Sequence, residues 1–422
     1  MTTLFRHPWT RWPAWLALGA LVFGGASTLR AAAKDVKPAY EAAPVLQAAD
    51  VLPAPLLAGR YHTVAYLVPT TGHFYHFELK SSYGRYNVVS RELLEVRIHE
   101  AGILARAVEL KDKYEFLRAA GGRIKATGEA LVNTVVHPVQ TVKAVGRGVG
   151  EKVMGIGRLF KGRKRSKRRD SFVKELLIAK NKRRVAYEIK VDVYSTNPQI
   201  QDLLDSIASQ RAAGQVAVNL GTILIPGAAG LVVSVGKFNA SMRAVIRDKS
   251  PGELADLNDE KLERIGVQPP LRKLFINHRE YSPSHQTFLV GALEHMRGVR
   301  NRGAFIQAAL HATDEASALA YQKTAERLAY YHLNEARIQR LEAAGGVPVA
   351  FTTDGTLIAA SPFDYGFWDA ETDRALKAIG KIKHPPATRR RELVTAGRLS
   401  PRARQGYRAW GYATKEGYRV SL

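Results

Sequence analysis

The absence of cysteine limits most strongly how this chain can fold. A chain of 422 residues with no disulfide must be stabilised by buried apolar side chains. Its hydrophobic content of 46% is enough for two or three domains with their own cores. The same absence excludes a cysteine nucleophile and a cysteine-linked lipid.

Strand and helix patterns both occur, which predicts an α+β protein that is mostly helical. A small β/α unit is expected over 58–122. In it, strands Tyr61–Val68 and His73–Lys80 flank a turn at Pro69–Gly72, and Ser90 caps a long helix. The pattern therefore predicts a small N-terminal β-meander packed on one helix.

A larger, mainly helical C-terminal domain with one or two β-hairpins is expected over 171–380. Alternation over 347–360 around Asp354–Gly355 predicts a hairpin, because Asp-Gly suits the left-handed geometry of a tight turn. The residues Val185–Tyr194 are predicted to form a strand. A helix is predicted from the acidic turn at Asp314 to about Leu341.

The remaining segments are distinguished by their composition. We interpret 1–33 as a signal peptide, 34–57 as an Ala- and Pro-rich linker, 123–170 as an amphipathic stretch with a polybasic bridge, and 381–422 as a basic aromatic tail. The first of these decides where the protein is located.

The N-terminal segment has the three parts of a secretory signal. Arg6 and Arg11 precede an apolar run from Trp15 to Ala26, and small residues end at Ala33. The run is short for a membrane span, which needs about 20 residues. The protein is therefore expected to be exported to the periplasm or cell envelope. An uncleaved N-terminal membrane anchor is the alternative.

Positive charge is concentrated in two short regions of a chain whose net charge is +25. The first holds eight cations and no acid: Arg158, Lys161, Arg163, Lys164, Arg165, Lys167, Arg168 and Arg169. The second, 381–422, holds eleven cations against two acids. Such clustering predicts an anionic partner. Outside the cytoplasm, that partner is an anionic lipid, lipopolysaccharide or cell-wall polymer, and nucleic acid is not expected.

Two further segments allow contact with a membrane. An apolar stripe over 131–156 has Lys and Arg beside it, as in interfacial helices, although packing on the protein's own core also explains it. The uncharged segment Val216–Gly236 is long enough to span a bilayer. Its Gly and Pro content favours a buried hairpin or bent core helix.

Catalytic residues are only weakly indicated. Asp364 lies in an aromatic setting near Trp368 and, with His285, is the candidate for a hydrolase site, but a helix N-cap is the favoured role for Asp364. His73 and His76 are three residues apart on a predicted strand, so their side chains point to opposite faces. No metal site and no cofactor are expected.

These patterns favour a non-enzymatic envelope protein that docks on an anionic surface through Arg158–Arg169. An exported hydrolase with a pocket in the helical domain is one alternative. A membrane-inserting effector that uses Val216–Gly236 is the other.

Overall fold

The structure, a computed structural model, describes residues 39–111, 121, 167–214, 220–224 and 237–420. Several predicted features lie outside this part of the chain: the signal peptide 1–33, the apolar stripe 131–156, residues 158–166 of the polybasic segment and most of Val216–Gly236. The described residues belong to one compact unit, Val36–Leu422.

Six short strands within 39–111 form an antiparallel sheet. They are β1 Val45–Gln47, β2 Ala58–Gly59, β3 His62–Val64, β4 Leu67–Thr71, β5 Phe74–Ser81 and β6 Gly84–Val89. The turn between β4 and β5 lies at Gly72 and His73, whose φ angles are 57° and 67°. It therefore lies later than the predicted Pro69–Gly72, and Pro69 pairs with Val45 inside the sheet.

Most of the segment interpreted as a linker is folded. It contributes β1 and two short helices, α1 Ala48–Val51 and α2 Ala54–Leu57. Val51 and Leu56 are buried in the apolar cluster under the N-terminal sheet. A composition rich in Ala and Pro concealed these few apolar anchors, which have no periodicity of their own.

The helix predicted after Ser90 is confirmed as α3, Arg91–Glu109. The Ser90 side chain accepts a hydrogen bond from the backbone N–H of Leu93, as an N-cap does. Leu94, Ile98 and Leu104 are buried, so one face of α3 contributes to the core. This helix also carries two buried charged residues, Arg97 and Glu100.

Helices dominate the described residues from 167 to 334. They are α4 Lys167–Glu188, α5 Pro198–Ala212, a 3-10 turn Leu220–Ile223, α6 Lys237–Asp248, α7 Pro251–Arg264, α8 Pro269–Ile276, α9 Pro283–His295, α10 Gly303–Ala309 and α11 Glu315–Asn334. The side chains of Ser250 and Ser282 cap α7 and α9, the first in a capping box. Both helices therefore begin at a local cap.

The predicted strand Val185–Tyr194 is wrong. Helix α4 continues to Glu188, and an irregular segment follows it. Val185 and Ile189 are both fully buried, and their spacing of four places them on one face. The β-branched residues of this run predicted a strand, but its first part forms the end of a helix.

A five-stranded mixed sheet occupies 338–415. The helices and strands of this region are β7 Ile338–Ala344, β8 Val347–Thr352, β9 Thr356–Ser361, β10 Tyr365–Gly366, α12 Ala370–Gly380, β11 Arg390–Thr395, β12 Arg398–Leu399, α13 Pro401–Ala409 and β13 Tyr412–Lys415. The strand order is β13-β11-β9-β8-β7, and β10 pairs with β12 apart from it. The predicted hairpin around Asp354–Gly355 is confirmed as β8 and β9.

Two expectations for this region differ from the structure. The helix expected to reach Leu341 ends at Asn334, and Leu341 lies in β7. Residues 390–415 do not form a separate tail, because β11 and β13 extend the sheet as strands parallel to β9. Helices α12 and α13 connect these parallel strands, as parallel pairing requires. The described chain is therefore a mixed α+β protein in which the C-terminal part holds a sheet larger than a hairpin.

Candidate functional site

Asp364 follows β9 at the carboxyl edge of the parallel strands. Its Oδ2 accepts hydrogen bonds from the backbone N–H groups of Tyr75, at 3.2 Å, and Arg91, at 3.0 Å. Gly397 packs so closely behind it that a Cβ there would lie 2.3 Å from the Asp364 carbonyl oxygen. The carboxyl thus joins the C-terminal sheet to β5 and to the first residue of α3, and it caps a helix that lies elsewhere in the sequence.

The environment of Asp364 favours its neutral form. The pKa of Asp364 is raised to about 7, mainly by burial and also by Glu92, while the two backbone N–H groups and Arg419 oppose the shift. Burial dominates because the side chain is almost completely removed from water. The group therefore changes its charge near neutral pH inside a joint between two parts of the fold.

His285 lies in the first turn of α9. Its backbone N–H donates to the Ser282 side chain, and its ring is buried. The ring Nδ1 has no hydrogen-bond partner within the described residues. Burial lowers the pKa of His285, although the nearby charges of Asp192 and Glu315 act in the opposite direction.

The structure does not bring Asp364 and His285 together. Asp364 contacts Tyr75 and Arg91, whereas His285 lies near a different set of charges on other elements. No hydrogen bond joins the two side chains, and both are more than nine-tenths buried. Within the described residues, no direct contact therefore links these two candidates.

A buried ionic network surrounds Arg97 on α3. Its guanidinium donates to Glu100 at 2.9 Å and to Glu315, at the start of α11, at 2.7 Å. The turn before α5 completes the network, because Ser195 and Thr196 both accept from Arg97. Burial lowers the pKa of Arg97, but the two glutamates more than offset this effect and raise it. The network fixes three segments to one another.

A metal site and a membrane span each require a recognisable arrangement of residues. No group of three or more His, Cys, Asp or Glu there has the proximity needed to hold a metal ion. No helix in the same part of the chain combines the length and apolar character of a membrane span. Of Val216–Gly236, only 220–224 are described, and Leu220 and Ile223 are buried in the helical core.

The polybasic segment leads directly into α4. Lys167, Arg168 and Arg169 form the first helical residues, and their side chains lie outside the described set. The helix as a whole carries eight Lys or Arg against three Asp or Glu. At 1.5 Å per residue, roughly 21 Å of helix separates Arg169 from Arg183. The basic character therefore continues along a single rigid element.

The far end of α4 forms a small basic cleft with α6 and α9, which we call the arginine cleft. Its lining residues are Arg183, Ala186, Tyr187, Val191, Asp192, Val193, Arg243, Ile246, Arg247, Ser284 and Phe288. Three of these are arginines and one is an acid. The cleft thus combines an apolar wall with an excess of positive charge.

The three arginines differ in how they are paired. Arg247 is bound by both oxygens of Asp248 and lies 4.6 Å from the Tyr187 ring centroid. Arg183 donates through Nε to the Arg247 carbonyl oxygen. Arg243 makes no hydrogen bond or salt bridge with any described residue, although Asp192 is close enough to affect it electrostatically. Burial lowers the pKa of Arg243, and the charges of Asp192 and Tyr187 oppose this shift.

Asp192 is already engaged inside the cleft. Its Oδ1 accepts from the Ser284 hydroxyl at 2.7 Å and from the backbone N–H of Tyr194 at 2.9 Å. Ser284 belongs to the first turn of α9, where the helix dipole is positive. Asp192 thus orients the Ser284 hydroxyl and partly offsets the positive charge of the arginines.

Sequence reasoning missed the arginine cleft, although part of its signal was available. Arg243 and Arg247 are four residues apart in α6, a spacing that places both on one helix face. Arg183 and Tyr187 have the same spacing in α4. The strand predicted from Val185 hid this second pair, and the approach of α9 had no local signature.

Comparison with protein-family models, curated proteins and solved structures gave no match to this chain. Its function must therefore be argued from its own residues.

Proposed function

We propose that this is an exported, non-enzymatic binding protein that docks on an anionic surface of the cell envelope through Arg158–Arg169. Lipid head groups, lipopolysaccharide and cell-wall polymers all present such a surface. The observation that carries the proposal is the continuity of α4, which begins inside the polybasic segment and ends at the arginine cleft. Positive charge thereby extends from the segment onto a folded scaffold.

Electrostatics accounts for docking without catalysis. Each Lys or Arg near an anionic membrane contributes about 1 kcal/mol, and the effect decays within a Debye length. Eight cations without an acid in 158–169 therefore support strong binding at low salt and weak binding at high salt.

Docking is tested by replacing Arg163, Lys164, Arg165, Lys167, Arg168 and Arg169 together with glutamine. We expect binding to vesicles that contain an anionic phospholipid to fall on the order of 10⁴-fold at low salt, since six cations at about 1 kcal/mol each are removed. Vesicle co-sedimentation over a range of salt concentrations measures this loss.

The control variant has the same number of substitutions at other positions. Six exposed cations outside α4 and the polybasic segment, including Arg374 and Arg402, are changed to glutamine in a second variant. This variant retains most of the docking if the segment is responsible. Equal loss in both variants, or unchanged binding in the first, contradicts the proposed docking site.

Export is tested separately by fractionating cells and sequencing the N-terminus of the mature chain. We expect the protein in the envelope fraction with its first residue close to Lys34, because small residues precede that position. A protein found only in the cytoplasmic fraction contradicts export.

A further inference from the structure

We propose that the arginine cleft is a specific binding site for one phosphoryl group and that it prefers a phosphate monoester. This inference rests on the proposed function only in naming an envelope lipid as one source of that group. The site itself is formed by α4, α6 and α9, outside the polybasic segment.

The unpaired cation is the first reason. Arg243 lines the cleft and has no direct counterion within the described residues, while the Arg183 Nε donates to the Arg247 carbonyl oxygen. Guanidinium groups present a planar set of N–H donors that matches two oxygens of a phosphate. A phosphoryl group in the cleft would therefore supply the acceptors that Arg243 lacks.

Charge decides between monoester and diester. Three arginines line the cleft, Asp248 neutralises Arg247, and Asp192 offsets part of the remainder. A monoester carries close to two negative charges at neutral pH and has three acceptor oxygens, whereas a diester carries one charge. The monoester thus gains more from Arg183 and Arg243, and the positive end of α9 at Ser284 adds to the preference.

Size and environment limit what can enter. The cavity measures about 80 Å³. A phosphoryl group would enter it, and the rest of a larger ligand would lie outside. The apolar wall lowers the local dielectric and strengthens each ionic contact; its members are Ala186, Val191, Val193, Ile246 and Phe288.

The first test uses soluble probes and the full chain. Inorganic phosphate and glycerol phosphate are titrated by calorimetry into wild type, Arg243→Gln, Arg243→Lys and Arg402→Gln. We expect Arg243→Gln to lose at least about tenfold in affinity, as the removal of a charge-assisted hydrogen bond implies. Arg243→Lys also weakens binding because an ammonium lacks the planar donor pair. Arg402 is exposed on α13, away from the cleft, so its variant retains wild-type affinity.

Folding is checked in the same samples by thermal unfolding. Arg243 makes no hydrogen bond in the described structure, so its variants are expected to keep the wild-type Tm without ligand. Phosphate should raise the Tm of wild type but not of Arg243→Gln, since a ligand stabilises only the state that binds it. Equal phosphate affinity in Arg243→Gln and Arg402→Gln overturns the proposal.

The second test distinguishes a lipid from a soluble source of the phosphoryl group. It also distinguishes binding in the arginine cleft from docking through the polybasic segment. Vesicles with phosphatidic acid are compared with phosphatidylglycerol vesicles of equal surface charge. Preference for phosphatidic acid that Arg243→Gln abolishes supports a lipid source, and binding of soluble phosphate alone supports a free one. The six-glutamine variant of the polybasic segment should lose docking yet bind soluble phosphate normally. Loss of phosphate binding in that variant, or no phosphate binding by wild type, overturns the specific site.

Discussion

Replacing Arg97 with methionine should destabilise the protein by about 3–5 kcal/mol at neutral pH, because the change leaves the buried Glu100 and the partly exposed Glu315 without their counterion. The Glu100 side chain is only 1% exposed, and Glu315 is held by the same guanidinium. Methionine fills a similar volume but donates no hydrogen bond. Urea unfolding of Arg97→Met against wild type measures the loss directly.

The pH dependence of this loss identifies its cause. Although burial raises the pKa of Glu315, Arg97 and Thr196 lower it below its ordinary value in the intact network. That interaction stabilises the fold above the ordinary pKa of a glutamate, and the contribution is lost as the pH falls through the lowered value. Without Arg97, protonation of the carboxylates relieves their buried charge, so the deficit of Arg97→Met shrinks towards pH 4.

Two further variants control for the network. Arg106→Met removes a guanidinium from the same helix at a more exposed site, where it pairs with Glu109, and should cost no more than about 1 kcal/mol. Adding Glu315→Gln to Arg97→Met should recover part of the stability by removing one orphaned charge. If Arg97→Met and Arg106→Met are equally mild, the network does not bind the segments together as described.

Asp364→Asn should make the protein more stable at pH 8, by on the order of 4 kcal/mol as an upper bound. Burial raises the pKa of Asp364 to about 7, whereas an unfolded aspartate titrates near 3.9, and each pKa unit corresponds to about 1.36 kcal/mol. Asparagine is neutral and keeps an oxygen that accepts from Tyr75 and Arg91. The substitution therefore removes the cost of a buried charge and retains the joint.

The direction in which stability changes with pH follows from proton binding to Asp364. Between pH 4 and pH 7 the folded state holds a proton on Asp364 that the unfolded state has lost, so stability falls as the pH rises through this window. Above about pH 7 both states are ionised and the slope disappears. Asp364→Asn should lack this particular decline, which unfolding free energies measured from pH 4 to pH 8 reveal.

The control for this experiment is Asp256→Asn, a change at an exposed position on α7. It should follow the wild-type curve throughout. A parallel curve for Asp364→Asn, with the same decline as wild type, would mean that the buried carboxyl does not titrate in this window.

Much of the local structure was predictable because its causes lie within a few residues. The caps at Ser90, Ser250 and Ser282 each depend on a backbone N–H three positions away, and the hairpin at Asp354–Gly355 depends on the backbone freedom of its own turn. The failures occurred where packing overrode a local pattern. Val185–Tyr194 has strand-like residues, yet tertiary burial holds its first part in a helix.

In the candidate site, too, part of the arrangement follows from local sequence and part from tertiary packing. The cation spacing in α4 and α6 was legible in the sequence, but the cleft exists only because α9 brings Ser284 to Asp192, 92 residues earlier in the chain. Composition predicted an anionic partner, and packing determined which arginine of the cleft has no direct counterion among the described residues.

The sequence by itself thus determined where helices begin, where the hairpin turns and where positive charge is concentrated, since these depend on neighbouring residues. Only the tertiary structure decided the roles of Arg97, Asp364 and Arg243. Arg97 meets Glu315 across 218 positions, and Asp364 meets Arg91 across 273. Their charges are set by burial and by distant partners, because desolvation and ion pairing are properties of the folded chain.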